Sequence, residues 1–96
     1  MSDTDVAQQP VSDADARFVD RLADEVQSIL GVGLLIEALT RRDDGTVELC
    51  ASCLLDGQAD EVIVDGETLL DASRELIRAV AERRLAAAWT RLVAPI

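Results

Sequence analysis

Apolar residues recur over positions 13–30 at helical spacing: Phe18, Leu22, Val26, Ile29 and Leu30, with Asp20, Arg21, Asp24 and Glu25 mainly on the other side. Ser12 is placed to cap this helix, Asp15 favours its first turn, and Gly31 is a natural stop. The period then shortens to two. Leu34 to Arg41 reads as a strand, Asp43-Asp44-Gly45 as a tight hairpin turn, and Val47 to Leu55 as a second strand. Asp56-Gly57 marks another turn, Glu61 to Asp65 makes a short third strand, and Asp65-Gly66 ends it. Thr68 caps a second helix, with Asp71 in its first turn and Pro95 as its stop. Its expected buried stripe is Leu69, Ser73, Leu76, Ile77, Val80, Ala81, Leu85, Ala88, Trp89 and Leu92.

Short turns make neighbouring strands antiparallel, so these elements predict one α+β domain over residues 12–96. Its order is α-β-β-β-α, a three-stranded meander with both helices on one face. Residues 1–11 read as a flexible acidic tail. Strand alternation assigns Leu34, Ile36, Ala38, Val47, Leu49, Ala51, Cys53, Val62 and Val64 to the helix side. The opposite face then presents Leu35, Glu37, Leu39 and Arg41, then Glu48, Cys50, Ser52 and Leu54, then Glu61, Ile63 and Asp65. Leu35, Leu39, Cys50, Leu54 and Ile63 form an apolar patch there that calls for a partner or a second copy. A helix of about 25 residues spans ~37 Å, whereas the strands span only ~28 Å. Trp89, Leu92 and Val93 are therefore expected to overhang the sheet and to need cover of their own.

The 96 residues carry nine arginines against 19 acids, a net charge of −10. Such a polyanion is repelled by phosphate backbones and by acidic membrane surfaces, so neither nucleic acid nor membrane is the expected partner. The charge is uneven: residues 1–67 are net −12 and residues 68–96 net +2, the latter from Arg74, Arg78, Arg83, Arg84 and Arg91. The default role of that strip is to pair with the chain's own acids. No apolar run approaches the ~20 residues needed to cross a bilayer, and the start Met1-Ser2-Asp3-Thr4-Asp5 is unlike a signal or transit peptide. A cytoplasmic location is the expectation.

The chain contains no His, Lys or Tyr. The usual neutral-pH base, Schiff-base chemistry and a phosphate-binding P-loop are thereby removed. Asp43 and Asp44 are turn formers, and no acidic run has the alternating oxygens of a calcium loop. The one short motif is Cys50-Ala51-Ser52-Cys53, a C-x-x-C that elsewhere serves redox, zinc or iron–sulfur chemistry. Within a strand, a spacing of three sends the two sulfurs to opposite faces. Cys53 is then a small core residue and Cys50 an outer one. The iron–sulfur scaffold domain resembles this chain in placing a C-x-x-C between sheet and helix. There, however, the pair leads directly into the helix, and here another strand intervenes before Thr68.

The order helix, three strands, helix over residues 13–93 is similar to the double-stranded-RNA-binding domain and to the core of ribosome hibernation factors. That resemblance is one of topology and implies phosphate contacts from helix-two arginines. The basic loop motifs are missing, and the second helix opens Thr68-Leu69-Leu70-Asp71 instead of with lysines. Small acidic secretion chaperones are also similar in pairing helices with a curved sheet and in dimerising.

The reading these features favour is a non-enzymatic protein-interaction module: an adaptor, chaperone or regulatory subunit. Its expected partner is a protein or a second copy of itself. Its surface candidates are Leu35, Leu39, Cys50, Leu54, Ile63, Trp89 and Leu92, with no catalytic residue, cofactor or metal site assigned. An RNA- or ribosome-associated domain using the arginines, and a thiol or metal site at Cys50/Cys53, are the alternatives.

Overall fold

A computed structural model describes residues 12–93. The expected tail over 1–11 and the stop at Pro95 lie outside the described residues. The chain runs α1 (Asp13–Leu30), β1 (Gly33–Arg41), β2 (Val47–Leu55), β3 (Gln58–Gly66) and α2 (Leu69–Val93). This is the expected α-β-β-β-α order of an α+β domain.

Local chemistry sets the boundaries. Ser12 Oγ accepts the Asp15 N–H at 3.1 Å, and Gly31, left-handed at φ 68°, donates its N–H to the Gln27 carbonyl. Thr68 Oγ1 caps α2 by accepting the Asp71 N–H at 3.1 Å. In the first hairpin the Gly45 N–H donates to the Arg42 carbonyl, and Asp44 Oδ1 accepts from both the N–H and the hydroxyl of Thr46. Those bonds hold the Asp44 carboxyl below the usual range. The second hairpin turns on Asp56 and Gly57 alone, both at positive φ (51° and 81°), a primed turn that suits twisted antiparallel strands. Because that turn pairs Leu55 directly with Gln58, β3 begins three residues before the expected Glu61.

The three strands form one antiparallel sheet in the order β1-β2-β3. β2 is central, and its inner row of Val47, Leu49, Ala51 and Cys53 is fully buried. α1 lies over β1 through Leu22 and Val26, while α2 lies over β2 and β3 through Ala72, Leu76 and Val80. Each fully buried Leu or Val there contributes about 1.5–3 kcal/mol of transfer free energy. Ser73, also buried, returns its hydroxyl to the Leu69 carbonyl at 2.7 Å. No helix among the described residues is long and apolar enough to cross a membrane.

Two expectations about faces are corrected. First, Ile36 pairs with Ala51 and Ala38 with Cys50, so Glu37 is an extra residue, a β-bulge. The bulge reverses the alternation beyond it. Ala38 turns out to the exposed face, whereas Leu39, paired with Leu49, turns inward and packs against the core. Leu39 is therefore not part of the outer patch. Arg41 also lies on the helix side, where its Nε and Nη2 donate to the Asp15 carboxylate at 3.0–3.2 Å.

Second, the apolar residues of α2 do not form one buried stripe. Leu76 and Val80 face the sheet, but Leu85 comes nine residues after Leu76, two and a half turns at ~3.6 residues each, and points away. Leu85, Trp89 and Leu92 are 70%, 65% and 78% exposed. Ile77 is exposed too, and Ala81 and Ala88 are half-buried. Overhang is not the cause. Arg91 still reaches Asp56 in the β2–β3 turn, so α2 runs beside the sheet almost to its end.

Candidate docking site

The outer face of the sheet is built by the register. Leu35 sits opposite Ser52, Ala38 opposite Cys50, and Cys50 opposite Ile63, while Ser52 faces Glu61 on its other side. Leu35, Leu54 and Ile63 are exposed along this face, and Cys50 is half-buried between them. Four of the five sheet candidates therefore share one surface; Leu39 does not. Trp89 and Leu92 lie elsewhere, on the outward side of α2, with Leu85.

Charge gives the sheet face its character. The Cys50 thiol lies 3.6 Å from Glu61 Oε2 and 3.9 Å from Glu37 Oε1, and the Ser52 hydroxyl donates to Glu37 Oε2 at 3.1 Å. One ligand atom from each of Glu37, Cys50 and Glu61 falls within 4.8 Å of the others. Partial burial pushes the Cys50 thiol up, and the hydrogen bond to Glu61 and the charges of Glu61, Glu37 and Glu48 push the same way. Arg42 bridges Glu48 (3.4 Å) and Asp65 (3.3 Å) at the far end of the face. Among the described residues, no cation pairs with Glu37 or Glu61.

The two cysteines are separated as the spacing requires. Cys53 is fully buried under the helices, where burial raises its thiol against the opposing pull of Arg83, while Cys50 is on the other side of the sheet. A single ion or disulfide cannot take both sulfurs without unfolding β2.

The arginine strip is divided in the same way. Arg83 is half-buried with one Nη donating to the Glu61 carbonyl at 3.3 Å, and its Nε is buried without a partner. It lines a cleft of about 340 Å³ with Leu55, Asp60, Ala87 and Thr90. Arg91 is held by Asp56. Arg74, Arg78 and Arg84 remain exposed on α2.

Neither a family model, a curated protein nor a solved structure matches this chain. The reading of the site thus rests on its own geometry. Sequence reasoning placed Glu37 and Glu61 on the outer face but did not join them to Cys50. The turn lengths that fix the register were the signal available for that. It also missed Leu85 as a surface residue, because Leu85 continued an apolar series whose helical phase had already turned away from Leu76.

Proposed function

We propose that this chain is a non-enzymatic protein-interaction module, a small acidic adaptor, chaperone or regulatory subunit. Docking occurs through the outer sheet face and the outward side of α2. The observation that carries the reading is the pair of uncovered apolar sets, Leu35–Leu54–Ile63 and Leu85–Trp89–Leu92, every member of which is more than half exposed. Trp89, 65% exposed, is of the residue type most enriched among interface anchors. Engagement of Arg83 and Arg91 by the chain's own groups leaves a shortened cationic strip and so favours a protein partner over a polyanion.

The test is affinity capture with the full chain from the cells that make it, comparing wild type with Ile63→Asp, Leu85→Asp and a control substitution at Asp20 on α1. The expected result is a retained protein, foreign or a further copy of the chain, that the control keeps and at least one docking variant loses. Equal retention by all four proteins, or none by wild type, sinks the proposal.

A further inference from the structure

The two uncovered faces are unlike in charge. The sheet face sets Leu35, Leu54 and Ile63 around the carboxylates of Glu37 and Glu61, which have no cationic partner among the described residues. The outward side of α2 carries Arg74 and Arg78 in its first half and Leu85, Trp89 and Leu92 in its second. Arg78 and Leu85 are seven residues apart, about two turns and ~10 Å, so the cations and the apolar groups stand in one line. Arg74 has no carboxylate partner among the described residues. Arg78 has only exposed contacts, to Glu75 at 3.5 Å and Glu82 at 3.8 Å, which solvent keeps weak and exchangeable.

Like faces do not suit each other. Laying the sheet on a copy of itself crowds two sets of Glu37 and Glu61 around two thiols with no cation between them. Packing α2 on another α2 covers the leucines but leaves those carboxylates unpaired. Laying α2 on the sheet satisfies both: arginines meet glutamates, and Leu85, Trp89 and Leu92 meet Leu35, Leu54 and Ile63.

We infer that the outer sheet face takes the outward side of α2 from a second copy of this chain, with the partner's Arg74 and Arg78 placed against Glu37 and Glu61. The inference rests on the docking reading above and narrows it to one occupant. Because the outward side of α2 and the outer sheet face lie on opposite sides of the molecule, the contact is head to tail, and each copy that gives its helix keeps its own sheet face open for the next.

Sedimentation velocity on the purified full chain tests it, with Ile63→Asp to disable the sheet face and Leu85→Asp to disable the helix. Both side chains are exposed, so each variant should still melt in one cooperative transition, below wild type only by what association adds, and this separates lost pairing from lost folding. Wild type is expected to sediment as head-to-tail oligomers that lengthen with protein concentration, and each variant alone as a monomer. An equimolar mixture of the two should regain a one-to-one pair, because one intact helix meets one intact sheet. That pair should add no further copy, since its free sheet face carries Ile63→Asp and its free helix carries Leu85→Asp. A wild-type monomer, a dimer formed by either variant alone, or a mixture that stays monomeric overturns the inference. A monomer that still captures a foreign protein through these faces overturns self-pairing and spares the docking reading.

Discussion

Cys50 shows how much one residue's surroundings decide. Its thiol is held up by partial burial first and then by Glu61, Glu37 and Glu48, so the native state keeps the proton to higher pH than the unfolded chain does. The sign of the linkage follows. This group's contribution to stability is fully present below the ordinary thiol pKa and is lost as pH rises through the raised folded value. Since the thiolate is the nucleophile, native Cys50 should alkylate slowly near pH 8 despite its partial exposure. Replacing Glu61 with Gln removes the negative charge and leaves one acceptor oxygen of the two. It should speed iodoacetamide labelling of Cys50 several-fold at that pH, as read by peptide mapping, while buried Cys53 stays unlabelled. An unchanged rate would mean that the carboxylates do not govern the thiol. Gly66 is a second case. A Cβ there would lie 2.5 Å from the Ala72 nitrogen and 2.8 Å from the Asp71 carbonyl carbon, both backbone atoms of the first turn of α2. Gly66→Ala should therefore displace the helix start and cost about 1–3 kcal/mol in urea denaturation. An unshifted midpoint would show that the helix start gives way freely.

At the scale of elements, the bulge at Glu37 is the feature that most alters the surface. Because Ile36 faces in, Ala38 out and Leu39 in, removing Glu37 leaves a strand whose ordinary alternation already matches the core. Deletion of Glu37 should thus preserve the fold with a melting temperature within a few degrees of wild type. Deletion of Glu48, from the unbulged central strand, should swing Val47 out of the core and unfold the chain; circular dichroism distinguishes the two. A Glu37 deletion that unfolds would refute this account of the bulge. The same residues show what the sequence made legible. Ser12, Gly31, Asp56-Gly57 and Thr68 act through bonds to near neighbours, so the ends of α1, the second turn and the start of α2 could be read locally. The central strand could be read as well, since Val47, Leu49, Ala51 and Cys53 alternate without interruption. Nothing near Glu37 announces an extra residue, because a bulge is settled by pairing with β2 and not by local preference. That is why Leu39, Ala38 and Arg41 were assigned to the wrong faces. In α2 the misreading had another source: apolar residues on two sides of one helix look like a single broad stripe until the sheet selects Leu76 and Val80.

For the molecule as a whole, the question is whether charge holds the fold together or strains it. The chain is net −10, and its arginines concentrate in the last third. Three of the ion pairs among the described residues tie distant parts together: Arg41 to Asp15, Arg42 to Asp65, Arg91 to Asp56. All have at least one exposed partner, and such pairs are worth about 0–1 kcal/mol. Against them stand the sixteen acids of residues 1–67, faced within that stretch by only four arginines. Self-repulsion on this scale acts over the whole surface when the screening length is ~30 Å, near 0.01 M salt, and much less when it falls to ~10 Å near 0.1 M. If repulsion outweighs pairing, adding sodium chloride across that range should raise stability. A gain approaching 1 kcal/mol would move the melting temperature by about 4–8 °C in a domain of this size. Leu85→Asp is the protein in which to measure it, because disabling the outward side of α2 keeps any self-pairing from contributing its own salt dependence. A melting temperature that falls as salt is added would reverse the balance. The bridges to Asp15, Asp56 and Asp65 would then be principal ties of the fold, and the acidity of the remaining surface would cost the molecule little.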